Sequence, residues 1–373
     1  MKKIAFLNLI IYLSLNCFLN AACQNETLSW KGRIENENGI PVIINPDEPL
    51  YSKKPFEYSL ELSIGNSDFG SEYSFSEIGS ITVNDEYIYI SDWKEVYIKI
   101  YDHDGRYIRT IGNLGQGPGE FSRISGMQIV NQKELVVFDG NSRRLSFFSL
   151  EGELIRTLSI KEIPAINLNL NSKKYFIAST YKLNIENNTV ITELKIYNRE
   201  HEFIRTLAST EPAHVLSPFE SYAVWQISKD DKIVYGYNKN YEFQIYDSSF
   251  NLIKIVKKKY TQVEISNEDL LVKMKDIPKT KDTQIPKYHS AFQRMILDDK
   301  SNIIIQTWEK SKSGDQYLYD FFDSNGKFLF KVPIESRPLI WENDKFYTIE
   351  EDEEGFKYLN KYKVKWNTKI FNN

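Results

Sequence analysis

Beyond its N-terminal segment this chain has no cysteine. The only two, Cys17 and Cys23, lie in or beside an apolar leader, so neither a disulfide nor a cysteine metal site holds the rest of the chain together. Histidine is scarce as well: His103, His201, His214 and His289 are all there are, and none falls in a zinc-ligand spacing. Methionine numbers four and alanine is sparse, which argues against long helices. A basic excess is also missing. The 373 residues carry a net charge of −4, and removing residues 1–22 takes away Lys2 and Lys3 but no acid, leaving about −6. That balance excludes nucleic acid as an expected partner, because phosphate backbones are bound by clustered Lys and Arg.

One long apolar run exists, residues 4–19. At about 16 residues it is shorter than the roughly 20 that span a bilayer. It follows Lys2 and Lys3 and ends in Asn20-Ala21-Ala22-Cys23, the charged, apolar and small-residue order of a signal peptide over 1–22. Ala-Ala-Cys resembles the lipobox of bacterial lipoproteins, which implies lipidation of Cys23 and a cell-envelope location, periplasmic or at the outer membrane or cell surface. Asn20 departs from the usual residue at its position, so cleavage by an ordinary signal peptidase stays open. Residues 23–54 are polar, contain Pro41, Pro46 and Pro49, and read as a tether. The membrane is then contacted only through a lipid anchor.

What is abundant is aromatic residues, 14% of the chain with 24 Tyr and 22 Phe, and they repeat. Residues 98–111 read IKIYDHDGRYIRTI. The pattern returns at 145–158 (LSFFSLEGELIRTL), 194–207 (LKIYNREHEFIRTL), 243–256 (FQIYDSSFNLIKIV) and 319–332 (YDFFDSNGKFLFKV). Each copy is two short strands around a turn, and the first strand is apolar on both faces, as in a strand covered on both sides. Gly105, Gly152 and Gly326 supply the positive-φ turn residue in three copies. His201 and Phe250 stand there in the other two, which predicts longer or differently shaped turns.

The aligned aromatics Tyr101, Phe148, Tyr197 and Tyr246 are 47, 49 and 49 residues apart, and Phe322 follows after 76. The excess matches an insertion at about 257–289, in which Ser266 and Asp269 open a short helix with a capping box. Four strands per repeat of this length is the signature of a propeller blade. The expected fold is all-β: a six-bladed β-propeller over 55–366 with four-stranded antiparallel blades. The strand at 57–64 completes the last blade and closes the ring, and 367–373 is a tail.

In the second unit, GQGPGEF (115–121), VVFDGNSRRL (136–145) and FFSLEG (147–152) look like an NHL repeat. The chain from about 55 to 366 resembles the exported six-bladed NHL-like and TolB-like propeller lipoproteins. That resemblance implies fold but no particular activity.

Individual candidates for chemistry are few. Gly112, Gly115, Gly117 and Gly119 could cradle a phosphate, but Pro118 and Phe121 lead into another strand rather than a helix, so a tight crossing between blades is expected. Glu77, Glu220, Asp298 and Asp299 offer oxygen ligands for a hard cation, with turn and cap roles as the alternative. Arg109, Arg156, Arg205 and Lys254 recur at one outer-strand position; such a basic stripe suits an anionic partner, but protection of a sheet edge is the expected role. The axial face is the default binding surface of such a ring, and the binding candidates there are Arg123, Trp225, His289 and Arg294. No cofactor is expected, with an axial calcium ion as the alternative. The leading functional expectation is a monomeric, non-catalytic module that binds a small molecule, glycan or protein at its axial face. The rival expectation is a metal-dependent, lactonase-like hydrolase or lyase with an axial active site.

Overall fold

A computed structural model describes residues 29–65, 70–214, 219–275 and 285–368; the leader and the tail beyond 368 lie outside them. Two strands, β1 (Arg33–Glu37) and β2 (Ile40–Asn45), precede β3 (Phe56–Ile64). Blade 1 is β4 (Ile78–Val83), β5 (Tyr87–Asp92), β6 (Tyr97–Asp102) and β7 (Tyr107–Ile111). Blade 2 is β8 (Ile124–Val130), β9 (Glu134–Asp139), β10 (Arg144–Ser149) and β11 (Leu154–Ser159). Blade 3 is β12 (Asn167–Leu170), β13 (Phe176–Asn184), β14 (Thr189–Tyr197) and β15 (Phe203–Ser209), with β16 (Ala213–His214) beside β14. Blade 4 is β17 (Ala223–Ile227), β18 (Ile233–Tyr237), β19 (Glu242–Tyr246) and β20 (Leu252–Lys258). After helix α1 (Asn267–Met274) comes blade 5: β21 (Arg294–Leu297), β22 (Ile303–Lys310), β23 (Tyr317–Phe322) and β24 (Phe328–Ile334). Blade 6 is β25 (Ile340–Glu342), β26 (Lys345–Glu351) and β27 (Lys357–Trp366).

Blade 6 is completed by β3, which runs antiparallel to β27 from the Trp366↔Phe56 pair to Leu359↔Ile64. The ring therefore closes by pairing early chain with late chain, as the orphan strand at 57–64 predicts. The doubly apolar third strands explain why blades stack. In β6, Ile98, Ile100 and Tyr101 are fully buried, touching a different neighbour on each face. The seam between blades 4 and 5 is filled by Phe243, Val256, Phe292, Phe322 and Phe328. Burying each such side chain contributes roughly 1.5–3 kcal/mol.

The outer turns follow one design in all copies, including the two expected to differ. Gly105, Gly152 and Gly326 have φ of 84°, 91° and 84°, and His201 and Phe250 have φ of 69° and 66°. The same backbone bond closes each turn, for example His201 N–H to Asn198 O at 3.1 Å and Phe250 N–H to Asp247 O at 2.9 Å. The physical reason lies at the first turn position. Asn198 Oδ1 accepts from the amides of Glu200 and Glu202, and Asp247 Oδ1 from those of Ser249 and Asn251. These bonds offset a left-handed conformation that costs about 1–2 kcal/mol. Glycine is required where the preceding blade comes close: a Cβ at Gly326 would stand 2.3 Å from Val256. Phe250 instead packs its ring edge-on against Tyr175 of blade 3.

The expected tether at 23–54 is corrected by β1 and β2. Asn38 and Gly39 take φ of 54° and 88° and close a hairpin, the strongest short signal of one. Strand β2 then adds parallel to β20, so blade 4 has six strands. Pro41 does not prevent this, because it pairs only with Asn36 of β1, and contact with β20 begins at Val42. Helix α1 carries the expected capping box, with Asp269 N–H donating to Ser266 Oγ and Ser266 N–H to Asp269 Oδ2.

Candidate functional site

The innermost strands β4, β8, β12, β17, β21 and β25 ring the axis as edge strands, so their unpaired backbone groups face the central channel. The loops at the end where these strands begin, the leading end, are pinned by buried side chains. Asp92 accepts from the amides of Ser76 and Glu77, and Asp139 from those of Ser122 and Arg123. Asn238 accepts from Tyr222 N–H at 2.7 Å and donates to Phe292 O at 2.9 Å. The Asp of the NHL-like segment is thus a loop anchor.

At the trailing end, where the inner strands finish, the channel opens into a cavity of about 480 Å³. Its wall mixes aliphatic side chains such as Ile129, Ile227 and Ile340 with the neutral polar groups of Asn131, Asn169 and Gln226. Gln128 is fixed by two bonds to the backbone of Leu170. The charges at this rim are paired. Lys229 reaches Glu342 at 2.7 Å, joining blade 4 to blade 6, and Asp231 accepts from the amide and hydroxyl of Ser172. Such a wall offers hydrogen bonds of both senses and little free charge.

None of the four candidate binding residues lines this cavity. Arg123 is exposed at the leading end of β8. Trp225 is 7% exposed and packs between blades 3 and 4, its indole donating to Ser179 Oγ at 2.6 Å. His289 is clasped: its ring stacks on Trp308 at 3.9 Å, and Nε2 lies 3.2 Å from Asp269 Oδ2 of helix α1. Lys273 of the same helix lies over Trp308. Burial lowers the affinity of His289 for a proton, against the pull of Asp269. Arg294 is the first residue of β21, at the leading end of blade 5. It is within electrostatic reach of Arg337, Tyr222 and Tyr319, and burial with the Arg337 charge brings its pKa down to about 10.

The carboxylates proposed for a cation do not converge. Glu77 and Glu220 lie in loops at the leading end, whereas Asp298 and Asp299 occupy a turn at the trailing end of blade 5. Asp298 there accepts from Asn302 N–H at 2.7 Å. Among the described residues no group of three or more His, Cys, Asp or Glu is arranged to hold a metal ion. Three of the four outer basic positions are partnered, Arg109 with Glu153, Arg156 with Glu134, and Lys254 with Asn325, whereas Arg205 Nη2 is buried without a hydrogen-bond partner. The glycine-rich segment is a tight crossing, since a Cβ at Gly112 would stand 2.2 Å from the Phe121 ring.

The cavity residues are not legible in the sequence, because Asn131, Asn169 and Gln226 come from three blades, and each alone reads as strand-end polarity. The signal available was the recurrence of Asn, Gln and Ser where successive inner strands stop.

Ring closure, blade count and channel together define a six-bladed β-propeller. The family model for a domain of unknown function, DUF4934, matches residues 72–223, from the approach to blade 1 to the start of blade 4. No curated protein matches. Among solved structures the chain is similar to a candidate exported protein of Bacteroides fragilis NCTC 9343 (TM-score 0.50, 10% identity, covering 87% of this chain and 99% of that one). It is also similar to a DUF4221 family member from Bacteroides vulgatus ATCC 8482 (TM-score 0.47, 11% identity, 84% and 99% covered). Virginiamycin B lyase from Staphylococcus aureus aligns with TM-score 0.44 and 9% identity, covering 82% of this chain and 99% of that one. At these identities the likeness is one of fold.

Proposed function

We propose that this chain is an exported, NHL-like and TolB-like propeller, anchored by lipid at Cys23, that binds a neutral polyhydroxylated ligand in the trailing-end cavity without transforming it. The observation that carries the reading is the wall of that cavity, where amides and hydroxyls face the lumen while Lys229, Glu342 and Asp231 are engaged with one another or with Ser172. A saccharide presents alternating donors and acceptors and no charge, which such a wall satisfies. The leader over 1–22 supports export, and the description of the Bacteroides fragilis neighbour as exported agrees with it.

The anchor in this reading is short. Trp30 Nε1 donates to Asn45 Oδ1 at 3.0 Å, so six residues separate Cys23 from the first residue fixed to blade 4. They reach no more than about 25 Å, which holds the rim of blade 4 close to the membrane surface. Processing of a Cys23→Ala variant that proceeds as in the wild type would remove the lipid from this account.

The binding claim is tested by calorimetric titration with a panel of neutral oligosaccharides. Asn169→Trp, which fills the cavity, is expected to weaken any saturable binding by at least about tenfold without lowering the melting temperature by more than a few degrees. Equal affinity in the variant and the wild type, or no saturable binding across the panel, contradicts it.

A further inference from the structure

The leading mouth of the channel differs from the trailing one in its charge. Arg294, Gln306 and Tyr319 are successive cross-strand partners on β21, β22 and β23, so their side chains share one face of blade 5. Ile296 and Phe321, which alternate with them on that face, pack against Trp341 and Phe346 of blade 6; the row therefore looks toward blade 6. Arg337 enters from the loop that leads into β25, and it is close enough to bear on Arg294, Tyr222 and Tyr319. Tyr222 is held in place from blade 4 by donating to Gln293 O.

The Nη1 of Arg294 is buried and has no hydrogen-bond partner, and Gln306 Oε1 opposite it is also unpartnered. That amide is neutral, so turning it toward Nη1 leaves the charge uncompensated. No carboxylate of the described residues lies within 4.0 Å of either guanidinium. Several other buried cations are met, although Arg205 Nη2 is, like Arg294 Nη1, buried without a hydrogen-bond partner. Lys99 donates to Ser71 O and Ser74 O, Arg143 to Ile163 O and Ala165 O, and Lys361 to His103 O. A guanidinium taken out of water beside a second one is doubly unfavourable, by desolvation and by like-charge repulsion. Both costs are reversed by a bound oxyanion, whose paired oxygens fit the guanidinium fork.

We propose that this mouth is an oxyanion site in which Arg294 and Arg337 grip a carboxylate or a phosphate group, with Tyr222 and Tyr319 at its edge. It lies at the opposite end of the channel from the saccharide cavity, and either assignment stands without the other.

The test is calorimetric titration of the chain freed of its leader with inorganic phosphate and, separately, with D-glucuronate, each at constant ionic strength set with chloride and with glucose as the uncharged control. Saturable binding of phosphate, of glucuronate or of both is expected, and the two arms tell which oxyanion is preferred. Arg337→Gln lies on an exposed loop and is expected to weaken binding by about tenfold or more, the scale of one charge-assisted bond. Arg294→Lys keeps the charge but loses the fork, and a similar loss is expected. Asn169→Trp is expected to leave anion binding within twofold. The proposal is overturned if neither anion binds above the chloride background, or if Arg337→Gln and Arg294→Lys both bind as the wild type does.

Discussion

Tyr319 and Asp320 are neighbours on β23, yet they enter two seams that treat charge in opposite ways. Asp320 faces blade 4. There Lys258, its side chain 0% exposed, stands 3.4 Å from Asp320 and 2.9 Å from Asp47 of the N-terminal segment. Tyr241 donates to Asp320 at 2.7 Å, and Lys331 spans from this group to Glu309. Burial pushes the Asp320 carboxyl up, while Lys258 and Lys331 pull it down. Tyr319 faces blade 6, where the Arg337 charge acts on Arg294 from the neighbouring loop and Arg294 Nη1 is buried without a partner. One seam is joinery, and each of its cations stands against an acid. The other leaves the buried Nη1 of Arg294 without a partner, and an arriving anion would supply one.

This contrast breaks first at Lys258. Lys258→Met leaves Asp320 buried beside one cation fewer and is expected to cost about 3–5 kcal/mol of stability, measured by urea denaturation at pH 7. An effect below about 1 kcal/mol would mean the seam does not depend on that charge. Arg294→Met is expected to do the reverse, gaining on the order of 1 kcal/mol because it removes an uncompensated charge from a binding surface.

The smallest effect concerns the clasp at His289. Its proton affinity is lowered on folding, chiefly by burial and further by Lys273, while Asp269 opposes the shift. Below the ordinary histidine pKa of about 6.5 the unfolded chain takes up a proton that the folded chain resists, so stability rises with pH through that window and falls on acidification. Between pH 7.5 and 5.5 the wild type is expected to lose more melting temperature than His289→Gln. Parallel pH profiles for the two proteins would remove the clasp from the account.

The sequence made the outer half of each blade legible, because Ile98, Tyr101 and their counterparts are covered on both faces and so recur without gaps. It was less informative where one conformation is reached by several chemistries. Positive φ in the outer turns was tied to glycine, but Asn198 and Asp247 stabilise the same turn around His201 and Phe250. At the N-terminus, prolines outweighed the Asn38-Gly39 signal, although Pro41 lies where only β1 pairs with it. The functional surface was least legible. Arg294 could be placed at an inner strand, but its lack of a counter-charge depends on Arg337, 43 positions away in the numbering and in a different blade. His289 could be placed near the axis but not beneath Trp308.

Calorimetric melting of Lys258→Met and Arg294→Met beside the wild type, at low anion concentration, tests the central claim most directly. The account predicts shifts of opposite sign: a fall of several degrees for Lys258→Met and a rise of roughly 2–4 °C for Arg294→Met. If both variants fall alike, Arg294 is a structural cation like Lys258, and the leading mouth is not a binding site.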